Sequence, residues 1–219
     1  MPLEDQQEGK TTQRQAAQNG GGAESNARVL RPTDQDACQH TDDTHLVLER
    51  LLAAHEAFFD VTRDYEYAGV RFGGYAEFHS LGEKYVLVKK AKLWEVAAHE
   101  YLFFQTTDML DEAFFEEYLA FMKEKATLKV EPKPNHMTSY VSLVIVAAQA
   151  DPAVVRRLKK TKYHKTYKLG LQGWAELRLC VIDLAGRKVT TNAMGKTMRP
   201  LLESNAGFEP TGKKKLIRR

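Results

Sequence analysis

Residues Ser139-Tyr-Val-Ser-Leu-Val-Ile-Val-Ala-Ala-Gln149 form the most apolar stretch of the chain. It is rich in β-branched residues, too short for a membrane span, and lacks the three-four spacing of an amphipathic helix. Such a run is expected as a central strand buried on both faces. Working outward, Pro132 and Pro134 close the connection before it, and Asp151-Pro152 after it supplies a helix cap followed by proline at the first helical position. That helix is expected over 152–162.

Alternation marks further strands. Ala175 to Asp183 reads as one strand, Leu184-Ala-Gly186 as a turn and Lys188 to Asn192 as the return strand. Upstream, Val70 to His79 alternates around Gly73-Gly74, which suits a bulge or kink. Lys84 to Ala91 and Glu100 to Gln105 complete an antiparallel meander over 68–106. Leu48, Leu51, Leu52, His55, Phe58 and Phe59 recur at helical spacing behind Asp42-Asp43-Thr44, so a first helix is expected at 44–61. Leu110, Phe114, Tyr118, Phe121 and Met122 define a second at about 109–126, capped by Asp108. A short last helix is expected near 198–204. The order α-βββ-α-β-α-ββ defines a single α+β domain with a mixed, mostly antiparallel sheet of about six strands and helices mainly on one face.

Residues 1–43 are polar and contain Gly20-Gly21-Gly22, a composition expected of a disordered tail. The domain then covers 44–205, and 206–219 is expected to be a flexible basic end. The chain is 43% hydrophobic and 28% charged, ordinary for a globular protein. No stretch reaches the length of a membrane helix and the first ten residues lack a signal-peptide pattern, so neither a membrane partner nor export is expected. Cys38 and Cys180 are too few for a disulfide framework or a cysteine-rich zinc site, and fit a reducing cytoplasm. The net charge is +3, with −4 in residues 1–44 and five of the positive charges in the last seven residues. Overall basicity therefore says little about nucleic acid.

Local patterns say more. Val155 to Lys168 carries seven Lys or Arg and no acid, with Tyr163 and Tyr167 interleaved. Arg156, Arg157, Lys160 and Lys162 there could neutralise phosphates, or form a solvated helix face. Lys84, Lys89, Lys90 and Lys92 form a second basic set, suited either to the same ligand or to guarding a sheet edge. Tyr163, His164, Lys165, Trp174 and Arg178 could line a pocket near Gly170 and Gly173, with Glu77 or Glu95 as an acid–base group; ordinary turn chemistry explains the same residues. Glu77, His79, His99 and Glu100 could meet across neighbouring strands, but no histidine pair has metal-ligand spacing and no metal is expected. The start of the element order matches a restriction-endonuclease-like core, yet the Glu-x-Lys such enzymes use is missing. No nucleophile elbow, P-loop or dinucleotide fingerprint is present, so no cofactor is expected.

Glu83-Lys-Tyr-Val-Leu-Val-Lys-Lys-Ala-Lys-Leu-Trp94, Asn135-His-Met-Thr-Ser139 and Tyr163-His-Lys-Thr-Tyr-Lys-Leu-Gly-Leu-Gln-Gly-Trp174 resemble strings of an uncharacterised bacterial domain family of roughly 160 residues, spanning 45–203 here. The resemblance implies the domain limits and a bacterial cytoplasmic setting, and carries no activity. The function expected from the residues is non-enzymatic binding of an anionic ligand, nucleic acid or a phosphorylated molecule, through a basic surface. An enzyme with a pocket around His164, Lys165, Trp174 and Arg178, or a protein-interaction module, are the alternatives. Oligomeric state is not legible.

Overall fold

In the computed structural model, which describes residues 34–80, 97–133 and 136–210, the chain runs through α1 (Asp34–His55), β1 (Asp60–Tyr67), β2 (Val70–Ser80), β3 (Ala97–Leu110) and α2 (Glu112–Glu124). It continues through β4 (His136–Ala150), α3 (Pro152–Lys160), β5 (His164–Thr166), β6 (Trp174–Asp183), β7 (Lys188–Thr191) and α4 (Arg199–Asn205), with short 3-10 turns between. The mixed sheet has the order β1-β2-β3-β4-β6-β5, and β7 also pairs with β6. β3, β4 and β6 are parallel; every other pairing is antiparallel.

β4 is the central strand expected from its apolar run. Val141, Leu143, Ile145 and Ala147 join the core beneath α2 and α3, while Val144 and Val146 join a second core beneath α1 and α4. The helices thus divide between the two faces, where the sequence placed them mainly on one. Apolar residues on a strand with no polar face need cover on both sides. A helix of 22 residues supplies it on the second face.

Three strands precede α2, though the first differs from the expected set. The first helix ends at His55, not at 61, and the chain turns into β1 at Asp60. Phe58, which fits the helical spacing, is 78% exposed. The expected strand at 84–91 lies outside the described residues, as do most of the N-terminal tail and 211–219. The second helix begins after Asp111, whose carboxylate accepts from Phe114 N at 2.8 Å. Asp108 instead belongs to β3, whose end carries Leu110 into the core. Asp151 caps α3 as expected, accepting from Ala153 N at 2.7 Å.

Gly73-Gly74 is where the alternation of β2 slips. Phe72 and Tyr75, three residues apart, both enter the α2-side core. A Cβ at Gly73 or Gly74 would stand 2.7 or 2.6 Å from Leu48 or Leu52 of α1. Bare backbone at these two positions lets α1 settle onto the sheet.

Candidate functional site

α1 and α4 cover only part of their face of the sheet. Toward the starts of β4 and β6 the same face carries polar residues, arranged by strand alternation. One cross-strand row reads Phe78, Glu100, Tyr140, Glu176 and His164; the next contains Leu102, Ser142 and Arg178; a third contains Ala98, Thr138, Trp174 and Thr166. Three of the four residues expected around a pocket, His164, Trp174 and Arg178, therefore share one side. Lys165 pairs with Ala175 and points to the opposite layer, where its ammonium lies 5.6 Å from the Tyr167 ring.

Arg178 is the best-fixed group of the set. It is 8% exposed, its guanidinium lies 3.4 Å from the centre of the Tyr140 ring, and it donates from Nη1 to Glu100 Oε2 at 3.0 Å. Stacking on the ring and pairing with the carboxylate hold the guanidinium plane in one orientation. Its Nε has no hydrogen-bond partner among the described residues, and neither has the Oγ of Ser142, its register partner on β4. Buried polar groups are rarely left so. Beside them His164 Nδ1 lies 2.7 Å from Glu176 Oε1, and the His164 ring stands 6.3 Å from that of Trp174. Trp174 and Glu176 remain partly open to solvent and His164 is exposed.

The remaining expected residues are elsewhere. Val154 and Leu158 seat α3 in the core on the other side of the sheet, which leaves Arg156 and Lys160 exposed there, with Lys162 just beyond the helix. Arg157 is held by Glu112 and Glu116 of α2. Tyr163 is half-buried on that side, its hydroxyl donating to Lys123 O at 3.3 Å. Arg178 and Trp174 thus do not extend the α3 charges into one surface. Lys84, Lys89, Lys90, Lys92 and Glu95 lie outside the described residues.

Glu77, His79 and His99 do meet, on the α2 side. His79 Nδ1 and His99 Nδ1 are 3.1 Å apart, and His79 Nε2 is 3.8 Å from Glu77 Oε1. Glu77 also accepts from Tyr75 OH at 2.6 Å, and Lys129 lies 3.9 Å away. Glu100 faces the opposite layer, because it is register partner to Phe78 while Glu77 pairs with Tyr101. These two glutamates cannot share a cation. Among the described residues no group of three or more His, Cys, Asp or Glu is set to hold a metal.

Sequence reasoning missed Glu176, Tyr140, Ser142 and the role of Glu100. A signal for three of them existed. Trp174, Glu176 and Arg178 alternate, and so do Thr138, Tyr140 and Ser142 at the start of an otherwise apolar strand. Read as faces, these two runs put six polar or aromatic residues on neighbouring strands.

A mixed-sheet α+β domain with a polar, partly open area on one face is what the fold and the site define. The chain belongs to the family described as a domain of unknown function, DUF8052, whose model matches residues 43–204. No curated protein and no solved structure matches it.

Proposed function

We propose that this is a non-enzymatic binding domain of the bacterial cytoplasm whose ligand is a phosphorylated small molecule, held on the open sheet face by Arg178. The observation that carries the reading is that register partners on neighbouring strands, Arg178 and Ser142, hold two buried groups, Nε and Oγ, without a hydrogen-bond partner among the described residues. An anionic oxygen would accept from both, and hydrogen bonds to a charged partner are the strong ones. Trp174 offers a flat apolar surface and His164 a further donor at the rim. A small ligand suits this face better than nucleic acid, since the exposed basic residues of α3 lie on the other side of the sheet.

A thermal-shift panel of nucleoside phosphates and sugar phosphates tests this. A ligand at a hundred times its Kd adds about 2.7 kcal/mol, which for a domain of this size raises the Tm by about 5–10 °C. The shift should vanish in Arg178→Gln and weaken in Ser142→Ala. Because Arg178→Gln strands Glu100, the double variant Glu100→Gln/Arg178→Gln serves beside it. No shift with any compound, or one that survives in the double variant, ends the proposal. The His164–Glu176 pair also has the geometry of an oriented general base. Turnover of a panel compound that is lost in His164→Gln would make the domain an enzyme.

A further inference from the structure

Between β5 and β6 the chain makes a tight loop whose backbone is tied to itself. Gly170 N and Gln172 N donate to Tyr167 O, Tyr167 N donates to Gly173 O, and Gly173 N donates to Gly170 O. Gly173, at φ +72, presses against the carbonyls of His136 and Met137, where a side chain would collide. His136 holds the loop from the other side, its Nδ1 lying 2.7 Å from Gln172 O. The loop is thus a braced feature, and what it displays is apolar. Leu169 is 100% exposed and Leu171 81%. Lys168 and Leu169 take φ values of 44 and 56, a left-handed conformation costly for residues with a Cβ. A chain that only needed to turn would place glycine there and keep leucine out of water.

The charge on the loop and on the strand that enters it has one sign. Lys168 is exposed on the loop and Lys165, half-buried, lies on β5 just before it. No acidic residue occurs between Pro152 and Ala175. Glu131, on the segment leading to β4, is paired with Lys133 at 3.4 Å.

We infer that the 167–173 loop is a docking element for an anionic lipid surface, with Leu169 and Leu171 entering the headgroup–acyl boundary and Lys165 and Lys168 meeting lipid phosphates and carboxylates. This mode of contact needs no spanning segment, and no helix among the described residues is long and apolar enough to cross a membrane. A lipid surface fits the tip better than a folded protein does. The leucines project from a convex turn and offer no groove, whereas a stable protein interface buries roughly 800 Å² on each partner. Docking here would leave the open sheet face, on the far side of β6 from Lys165, free for its own ligand.

Co-sedimentation of the full chain with phosphatidylcholine vesicles, with and without phosphatidylserine, tests the inference. The protein should bind the phosphatidylserine-containing vesicles and bind phosphatidylcholine alone at least tenfold more weakly. Leu169→Asp/Leu171→Asp should lose binding at least tenfold, and Lys168→Gln about fivefold, the worth of one lysine at such a surface. The basic C-terminus is present in every variant, so these differences belong to the loop. Met109→Asp, at an exposed residue (46%) at the opposite end of the β3–β4 pair from His136 and the loop, should bind as the wild type does. Equal binding by the double leucine variant would overturn the inference, as would equal loss in Met109→Asp. So would a wild-type chain that ignores vesicles but binds polyglutamate through the loop, which would make the tip a protein-docking element.

Discussion

His55 and His99 sit on opposite faces of the sheet, and each is held in its neutral form. His55 is buried against Phe59 and Phe104, with ring centres 5.1 and 5.3 Å away, and burial lowers its pKa from 6.5 against the opposing pulls of Leu51 O and Glu100. Partial burial also lowers His99, and His79, His136 and Lys133 act in the same direction while Glu131 opposes them. The sign follows from linkage. In the unfolded chain both rings take up protons near pH 6.5 while the folded protein resists, so the fold loses stability as pH drops below that value and is indifferent to these groups above it. Urea midpoints should be flat above neutrality and decline on the acid side, with a shallower decline in His55→Gln. A midpoint independent of pH across that interval would contradict the assignment. A meeting of His79 and His99 was one option in the sequence, and the register of β2 with β3 decided it. The buried face of His55 was legible in the helical spacing of the first helix; that Phe104 covers the ring was not, because it comes from a strand that packs beneath α1.

At the scale of elements, the outer edge of β6 is closed by two short strands laid end to end. β5 pairs with Trp174 to Glu176 and β7 with Cys180 to Asp183. Asn192 bridges the gap. Its Oδ1 accepts from Leu179 N at 3.1 Å and Gly195 N at 2.9 Å, and its Nδ2 donates to Leu177 O at 2.9 Å and Thr161 O at 3.2 Å. One buried side chain thus satisfies backbone groups that no strand reaches, the obligation every buried amide carries. Asn192→Ala should cost about 2–4 kcal/mol, since it strands several buried partners at about 1–3 kcal/mol apiece with partial relief by water. Urea denaturation reads the loss, and a change under 1 kcal/mol (about the net worth of one hydrogen bond) would show the gap closing by other means. Residues 188–192 read as a strand from sequence. That its last residue leaves the strand to cap a gap depends on β5 ending where it does, which no local pattern encodes.

Across the whole molecule, stability rests on two apolar layers that share β4. Leu143 points into the layer beneath α2 and α3 and is fully buried, in contact with a core that includes Phe103 and Leu179. Leu143→Ala should cost about 2–5 kcal/mol, the range for truncating a leucine that leaves a cavity. Val144→Ala, on the opposite face, should weaken the same cooperative transition, because both layers hang from one strand. Two separate unfolding steps in either variant would argue that the layers fold independently.

The sequence by itself determined the strands now numbered β2, β3, β4, β6 and β7 and the existence of the four helices, the central place of Ser139–Gln149, the cap at Asp151 and the slip at Gly73-Gly74, while β1 and β5 escaped it. Each follows from short-range physics, namely periodicity, caps and backbone freedom. Only the tertiary structure decided which faces the helices cover, that Lys165 and the α3 charges part from Arg178, and that Arg178 finds Glu100 and Tyr140. Those outcomes depend on pairing order and register between distant segments. A strand sends neighbouring residues to opposite sides, so whether two polar residues meet is settled by parity across the sheet rather than by closeness along the chain.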